Sequence, residues 1–318
     1  MKKPLIVVTG PTAVGKTAVS VMLAKRINGS VISADSMQVY KGMDIGSAKV
    51  TQEEMQGVAH YLIDILDPKD EFNVYIFKKM AEEAISDIYA RGKIPVIAGG
   101  TGFYIQALLY DIDFTETDED EEAGSEMRKF ADRYGTRALH DKLRMVDPAS
   151  ADAIHENNVK RVIRALEYYE KTGRRISEHN EEQRSNVSPY DFEYFVINDE
   201  RAVLYDRINK RVDEMISAGL EAEVRALYDA GMREEDISMK GIGYREFFPY
   251  FEDRITLNDV IENIKADTRH FAKRQLTWFR RERDVKWIDM REFGRDKEKI
   301  TDYMISVAKK DGLIGEQI

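Results

Sequence analysis

The chain contains no cysteine among its 318 residues. That absence excludes disulfide frameworks, zinc ribbons, iron–sulfur centres and cysteine nucleophiles. Histidine is scarce as well. His60, His140, His155, His179 and His270 stand in no H-E-x-x-H or related spacing, so a transition-metal site is not expected. No apolar run approaches the ~18 residues of a membrane span. The apolar stretch after Met-Lys-Lys-Pro is too short and wrongly flanked for a secretory leader. The expectation is a cytoplasmic protein with no membrane partner. Internal repeats are missing too. Positive charge is in deficit, with 48 Lys and Arg against 58 Asp and Glu and a formal net charge of −10. On its face that sum argues against a nucleic-acid partner.

What is present is enough apolar material for a sizeable core, 43% of the residues. Over residues 5–110 short apolar runs alternate with helical patterns. Leu5–Val8, Val31–Ala34, Tyr61–Ile65 and Ile94–Ala98 read as strands without polar alternation, which predicts a parallel sheet covered on both faces. Thr51 and Glu54 have capping-box spacing, and Asn73 reads as the N-cap of a helix running to Arg91 before Gly92. Seven acids crowd residues 116–126, a loop or linker signal. Helical patterns follow at 126–134, 136–146, from Pro148, and at 158–172. Strand patterns return at Phe192–Asn198 and Val285–Ile288. The expected fold is α/β: a P-loop NTPase-like parallel sheet flanked by helices, with an all-helical insertion domain. The expected boundaries are a first core segment at 1–112, the insertion at 113–198, and a second core segment at 199–318 carrying the basic stretch. Tyr168-Tyr169 and Phe247-Phe248 are assigned to packing.

Gly10-Pro11-Thr12-Ala13-Val14-Gly15-Lys16-Thr17 satisfies G-x-x-x-x-G-K-[ST] between a buried strand and a helix. Glycines let backbone N–H groups turn inward around a diphosphate, and the helix N-terminus adds positive potential. Lys16 supplies a cation, and the Thr17 hydroxyl is a ligand for Mg²⁺ bridging phosphate oxygens. The loop reads a diphosphate and not what is attached to it. Asp35 ends the second strand, and in doubly wound sheets that end faces the ligand crevice. Asp35 is therefore either a general base or a cap or Mg²⁺-water ligand, with nothing in the residue itself to choose between them. Gly99-Gly100-Thr101-Gly102 brings amides and the Thr101 hydroxyl to the same rim, or forms a tight turn.

With these residues placed, the sequence resembles the tRNA dimethylallyltransferases, also called tRNA isopentenyltransferases. The resemblance is carried by GPTAVGKT at Gly10–Thr17, DSMQVYKGMDIGSAK at Asp35–Lys49 and GGTGFY at Gly99–Tyr104. Downstream it continues through NVKRVIRALE at Asn158–Glu167, GIGYRE at Gly241–Glu246 and AKRQLTWFR at Ala272–Arg280. It runs in order from about residue 5 to 290. Ser47 stands where the family usually has Thr. The resemblance implies transfer of a dimethylallyl group from dimethylallyl diphosphate to N6 of adenosine 37 in tRNA, with release of diphosphate. It implies Asp35 as base, Lys16, Thr17 and Mg²⁺ on the diphosphate, Thr101 positioning the adenine, and Arg211 as a further diphosphate ligand. It also implies tRNA contacts at Ser36, Met37 and Gln38 beside the base, at Arg128, and at Lys160, Arg161 and Arg164. Further contacts would come from Lys240, Gly243, Tyr244 and Arg245, and from Arg274, Gln275, Trp278 and Arg281. The acceptor is the anticodon stem-loop, and one chain is expected to act as a monomer.

The charge distribution bears on that reading. Residues 265–286 hold eight cations against three acids, interleaved with Phe271, Trp278 and Phe279, and residues 158–175 hold six against two. Arg161 and Arg164, three apart, share one helix face. The rest of the acidic surface is expected to repel RNA and confine it to these two stretches. Two rivals remain open at this stage. A small-molecule or nucleoside P-loop kinase would use Lys16, Thr17 and Asp35 in nearly the same way. A nucleotide-switch module could bind RNA without modifying it.

Overall fold

The computed structural model describes residues 2–112 and 121–315, which fall into two compact units. The first comprises residues up to Leu109 and from Pro189 onward; the second is Tyr110–Ser188. The insertion was expected to end at 198, but it ends ten residues earlier. Tyr190–Asn198 is a strand of the central sheet, registered along its length against Lys3–Thr9.

In the first unit the chain runs β1 (Lys3–Thr9), α1 (Lys16–Arg26), β2 (Gly29–Ala34), α2 (Gln52–Met55), β3 (His60–Tyr61), α3 (Val74–Ala90), β4 (Ile94–Gly99) and α4 (Gly102–Leu109). The second unit holds α5 (Glu121–Tyr134), α6 (Thr136–Val146), α7 (Pro148–Ala153), α8 (Val159–Thr172) and α9 (Ile176–Arg184). The first unit resumes with β5 (Tyr190–Asn198), α10 (Arg201–Ser217), α11 (Leu220–Asp229), α12 (Phe248–Phe251), α13 (Leu257–Phe279), β6 (Val285–Asp289) and α14 (Lys297–Lys310). All six strands are parallel, in the order β3-β2-β4-β1-β5-β6. Their apolar runs are buried on both faces: Leu5, Ile6, Val7, Val8, Ile32, Val96 and Ile97 are all closed off from solvent. Helices α1 and α14 cover one part of that core with Val19, Leu23, Ile300 and Met304.

Local chemistry sets the helix starts. Asn73 Oδ1 accepts from the Ile76 amide at 3.0 Å and opens α3, while Thr51 and Thr256 form full capping boxes with Glu54 and Asp259. Each such cap contributes about 1 kcal/mol to its helix. The third strand is shorter than the apolar run Tyr61–Ile65 implies. Leu62 and Asp64 take left-handed backbone conformations, with φ of 61° and 58°, and break the ladder after Tyr61. The acidic run also divides differently. Its first part lies outside the described residues, and from Glu121 it is helix.

The helical unit has its own core of Leu139, Leu143, Val162, Ala165 and Leu166. Asp147, buried, caps α7 through the Ser150 amide and also accepts from the Ser177 amide and hydroxyl. Tyr168, Phe247 and Phe248 are buried packing residues, as their spacing predicts.

Candidate active site

At the carboxyl end of the sheet a cavity of about 780 Å³ opens, lined wholly by the first unit. The P-loop forms its floor. Thr12, Ala13, Gly15, Lys16 and Thr17 line it, whereas Pro11 and Val14 are buried and shape the loop from beneath. Gly10 is likewise not part of the lining. Ala13 sits at φ 62° and Gly15 at φ 98°, the turned backbone the motif requires.

Lys16 Nζ donates to the carbonyls of Gly10 at 3.0 Å and Pro11 at 2.8 Å. Burial first and the neighbouring Arg211 second push its ammonium down to about 7, against the opposing pull of Asp35. Arg211, on α10, is itself lowered by burial and held up by Asp35 first among several acids. The three groups thus feel one another's charge within the cavity, as the sequence reading expects for a phosphate site. Thr17 is exposed at the mouth.

Asp35 follows β2 directly. Its Oδ1 accepts from the amides of Met37 at 2.8 Å and Gln38 at 3.3 Å. The two roles left open for it, cap and base, are therefore compatible. One oxygen fixes the turn, which holds the carboxylate still, and Asp35 lines the cavity with Ser36, Met37 and Gln38. Thr101 closes the opposite rim, its amide donating to Ala34 O at 3.1 Å.

The loop from Ser36 to Val50 is braced from three sides. Gln38 Nε2 donates to Ala48 O at 3.1 Å, and Lys49 Nζ reaches Tyr40 O, Asp44 and Asp64. Glu223, on α11, accepts from the amides of Asp44, Ile45 and Gly46 at 2.9, 2.7 and 3.1 Å. No motif in the sequence marks Glu223, since a single Glu on an amphipathic helix carries no signal by itself. Lys297 is a second residue the motifs miss. It enters the cavity lining from the start of α14, its Cε 3.6 Å from where a side chain on Gly15 would begin.

Several expected RNA contacts turn out otherwise. Tyr244 is fully buried, and its hydroxyl donates to Glu223 at 2.8 Å and accepts from the Ser47 amide at 3.1 Å. It is an internal tie. Gln275 is 5% exposed and bonded to backbone on both sides of its amide. Trp278 packs edge-on against Phe103 with its Nε1 buried. These three were read as surface because a short motif does not tell which face of a helix is covered. Gln275 nevertheless lines the cavity, as do Lys240, Gly243, Arg245 and Arg274, although Arg245 is already paired with Glu246 at 2.8 Å and Asp267 at 2.5 Å. Arg281 is exposed outside the lining. In the helical unit Arg128, Lys160, Arg161 and Arg164 are all exposed. Lys160 and Arg164 make no ion pair among the described residues.

Glu282, just past α13, is buried with Oε1 accepting from Gln106 Nε2 at 3.0 Å. Burial raises it from 4.5 to about 7; Arg283 and then the Trp278 indole oppose the shift. The indole N–H lies near enough to act, without reaching hydrogen-bond geometry. Because the fold disfavours the charged form, this group's contribution to stability is full at acid pH and falls as pH rises from about 4.5 to 7. The upper bound is about 3 kcal/mol. Glu282→Gln is expected to abolish that fall. Thermal melts of both proteins should show the variant gaining on wild type between pH 5 and pH 8, and parallel curves would rule the effect out.

A P-loop floor, a fixed carboxylate and a basic rim at the carboxyl end of a parallel sheet define a P-loop α/β protein. Comparison with known proteins narrows this. Residues 38–282 match the family described as IPP transferase. A tRNA dimethylallyltransferase of Lachnoclostridium phytofermentans is 53% identical over 97% of this chain and 99% of its own length. Its counterpart in Halalkalibacterium halodurans is 48% identical over 94% and 95%. The crystal structure of the full-length tRNA isopentenylpyrophosphate transferase of Bacillus halodurans superposes with a TM-score of 0.74, at 45% identity over 98% of both chains. A eukaryotic dimethylallyltransferase acting on tRNA gives 0.75 at 31% identity, over 90% of this chain and 74% of that one. The chain belongs to the tRNA dimethylallyltransferase family and is a prenyl transferase enzyme. The kinase and switch readings fall away. Among the described residues no helix is long and apolar enough to cross a membrane.

Proposed function

We propose that the donor is dimethylallyl diphosphate and the acceptor is N6 of adenosine 37 in the tRNA anticodon stem-loop. The observation that carries this is the meeting of Lys16, Arg211, Asp35 and Thr101 in one cavity with basic side chains at its rim. The diphosphate occupies the P-loop, where Lys16 and Arg211 balance its charge. The N6 lone pair attacks C1 of the donor, the C1–O bond breaks, and diphosphate leaves with the bonding pair. The N6 proton passes to Asp35, whose carboxylate is already aimed by the Met37 and Gln38 amides. Thr101 holds the adenine. Because charge grows on the departing oxygens, pre-placed cations favour the transition state over the ground state.

Extracting a base from a stacked loop requires basic and aromatic surface around the pocket. Arg274 and Phe271 at the cavity, with Lys240 and Arg245 beside them, fit that role, and the exposed Lys160, Arg161 and Arg164 of α8 give the helical unit a basic surface of its own for RNA. Mg²⁺ suits the site. Thr17 offers a hard oxygen at the mouth, and no cluster of three acidic or histidine side chains among the described residues would cage the ion. Held by Thr17 and the donor's own oxygens, it would neutralise diphosphate charge. The protein is read as acting as a monomer in the cytoplasm.

Incubating the protein with labelled dimethylallyl diphosphate, Mg²⁺ and unmodified tRNA should place label on adenosine 37. Label elsewhere in the RNA would refute the position, and none from this donor would refute the donor.

A further inference from the structure

The AKRQLTWFR segment carries a strongly basic face, yet Gln275 within it is buried and grips backbone at the catalytic end of the sheet. Gln275 Oε1 accepts from the Thr12 amide at 2.9 Å, and Gln275 Nε2 donates to the Gly100 carbonyl at 2.9 Å. One amide therefore joins the P-loop to the turn that presents Thr101. The approach is close enough that a Cβ on Gly100 would stand 2.2 Å from Gln275 Nε2. Three residues on, Trp278 covers the first turn of α4, and a Cβ on Gly102 would stand 2.3 Å from its Cδ1. Glu282 then holds the same helix through Gln106. Thr101 is thus bracketed by two glycines that α13 lies against: a side chain at Gly102 would meet the Trp278 ring, and one at Gly100 would displace the Gln275 amide.

We infer that Gln275, supported by Trp278, is a positioning residue of the transfer reaction: from the cavity wall it sets the spacing between the P-loop and Thr101. The strand ends below are already tied, Thr9 Oγ1 donating to Gly99 O at 2.7 Å, and Gln275 extends that tie to the loops beyond them. The Thr12 amide is a loop donor whose partner is this side chain, and an amide group satisfies a donor and an acceptor at a fixed separation as no charged or apolar side chain does. Losing it frees two backbone groups in a site where a displacement of about 1 Å can cost on the order of 100-fold in rate. Arg274, its neighbour, is exposed at the cavity, so adjacent positions on one helix divide the labour between RNA and loop geometry.

This rests on the diphosphate lying in the P-loop, and the test separates the two readings. Three quantities are measured on Gln275→Leu and Gln275→Glu: amide exchange at Thr12, steady-state kcat and KM for dimethylallyl diphosphate, and the Kd for tRNA. Leu should accelerate Thr12 exchange at least ~10-fold and lower kcat/KM by about 30–100-fold through both KM and kcat, with tRNA Kd within about twofold. Glu keeps an acceptor for Thr12 but loses the donor to Gly100, so exchange should stay slow while turnover still falls. Gly100→Ala, which pushes the amide away, should reproduce the Leu result. Accelerated Thr12 exchange in a protein whose wild type does not bind inorganic diphosphate would remove the P-loop reading and keep the contact. Turnover within about threefold of wild type in Gln275→Leu, or weakened tRNA binding with unchanged Thr12 exchange, would overturn the inference.

Discussion

Asp35→Asn should bind tRNA as wild type does and lose between about 10²- and 10⁴-fold in kcat. The substitution is nearly isosteric. An Asn Oδ1 can still accept from the Met37 and Gln38 amides, so the turn that carries Ser36, Met37 and Gln38 keeps its shape. What disappears is an oxygen able to take a proton from N6. A fall in kcat with little change in the Kd for tRNA separates lost proton transfer from lost binding. If turnover stayed within a few-fold of wild type, Asp35 would be a cap and nothing more, and the proton would have to leave by another route.

Lys16→Ala should be the more damaging change for the donor. Removing one pre-placed donor to a developing oxyanion typically costs about 10²–10³ in kcat, and a full positive charge should exceed that. Arg211 remains in the cavity, so residual diphosphate affinity is expected. The pH behaviour offers a second, sharper reading. With the Lys16 ammonium pushed down to about 7, the free protein at pH 8 carries it mostly neutral. A bound diphosphate restores an opposing charge and raises it again. Binding of inorganic diphosphate at pH 8 should therefore take up close to one proton, seen as a heat that varies with buffer ionisation enthalpy. At pH 6, where Lys16 is already charged, that uptake should be small, and in Lys16→Ala the part due to this residue should be missing at both. Uptake that is identical in the variant would assign the proton elsewhere, the diphosphate itself included.

The parts of this protein legible in the sequence are those governed by local rules. A P-loop is eight consecutive residues between a strand and a helix, so Gly10–Thr17 announces its shape. The unalternating runs at Leu5–Val8 and Ile94–Ala98 announce a sheet covered on both sides, and Asn73, Thr51 and Gly92 mark helix ends through bonds made within a few residues. The whole-chain charge, in contrast, was a poor guide. The net −10 is a sum over the molecule, while RNA would respond to the local field around Arg274, Lys240 and Arg245.

Other errors share one cause. The strand at Tyr61 stops early because two residues turn left-handed, and the insertion ends at 188 because Tyr190–Asn198 finds β1 as its partner. Tyr244, Gln275 and Trp278 belong to motifs that look like RNA surface, yet Tyr244 is turned onto half-buried Glu223, Gln275 onto backbone and Trp278 against Phe103. Glu223 has no motif at all, and its three amide contacts lie 177 to 179 residues away. The sequence alone determined the phosphate cradle, the sheet class and the family, because these follow from neighbours along the chain. Which side chains face the ligand and which hold the loops that do was decided by tertiary structure, because burial and hydrogen-bond partnership between distant segments exist only once the segments have packed.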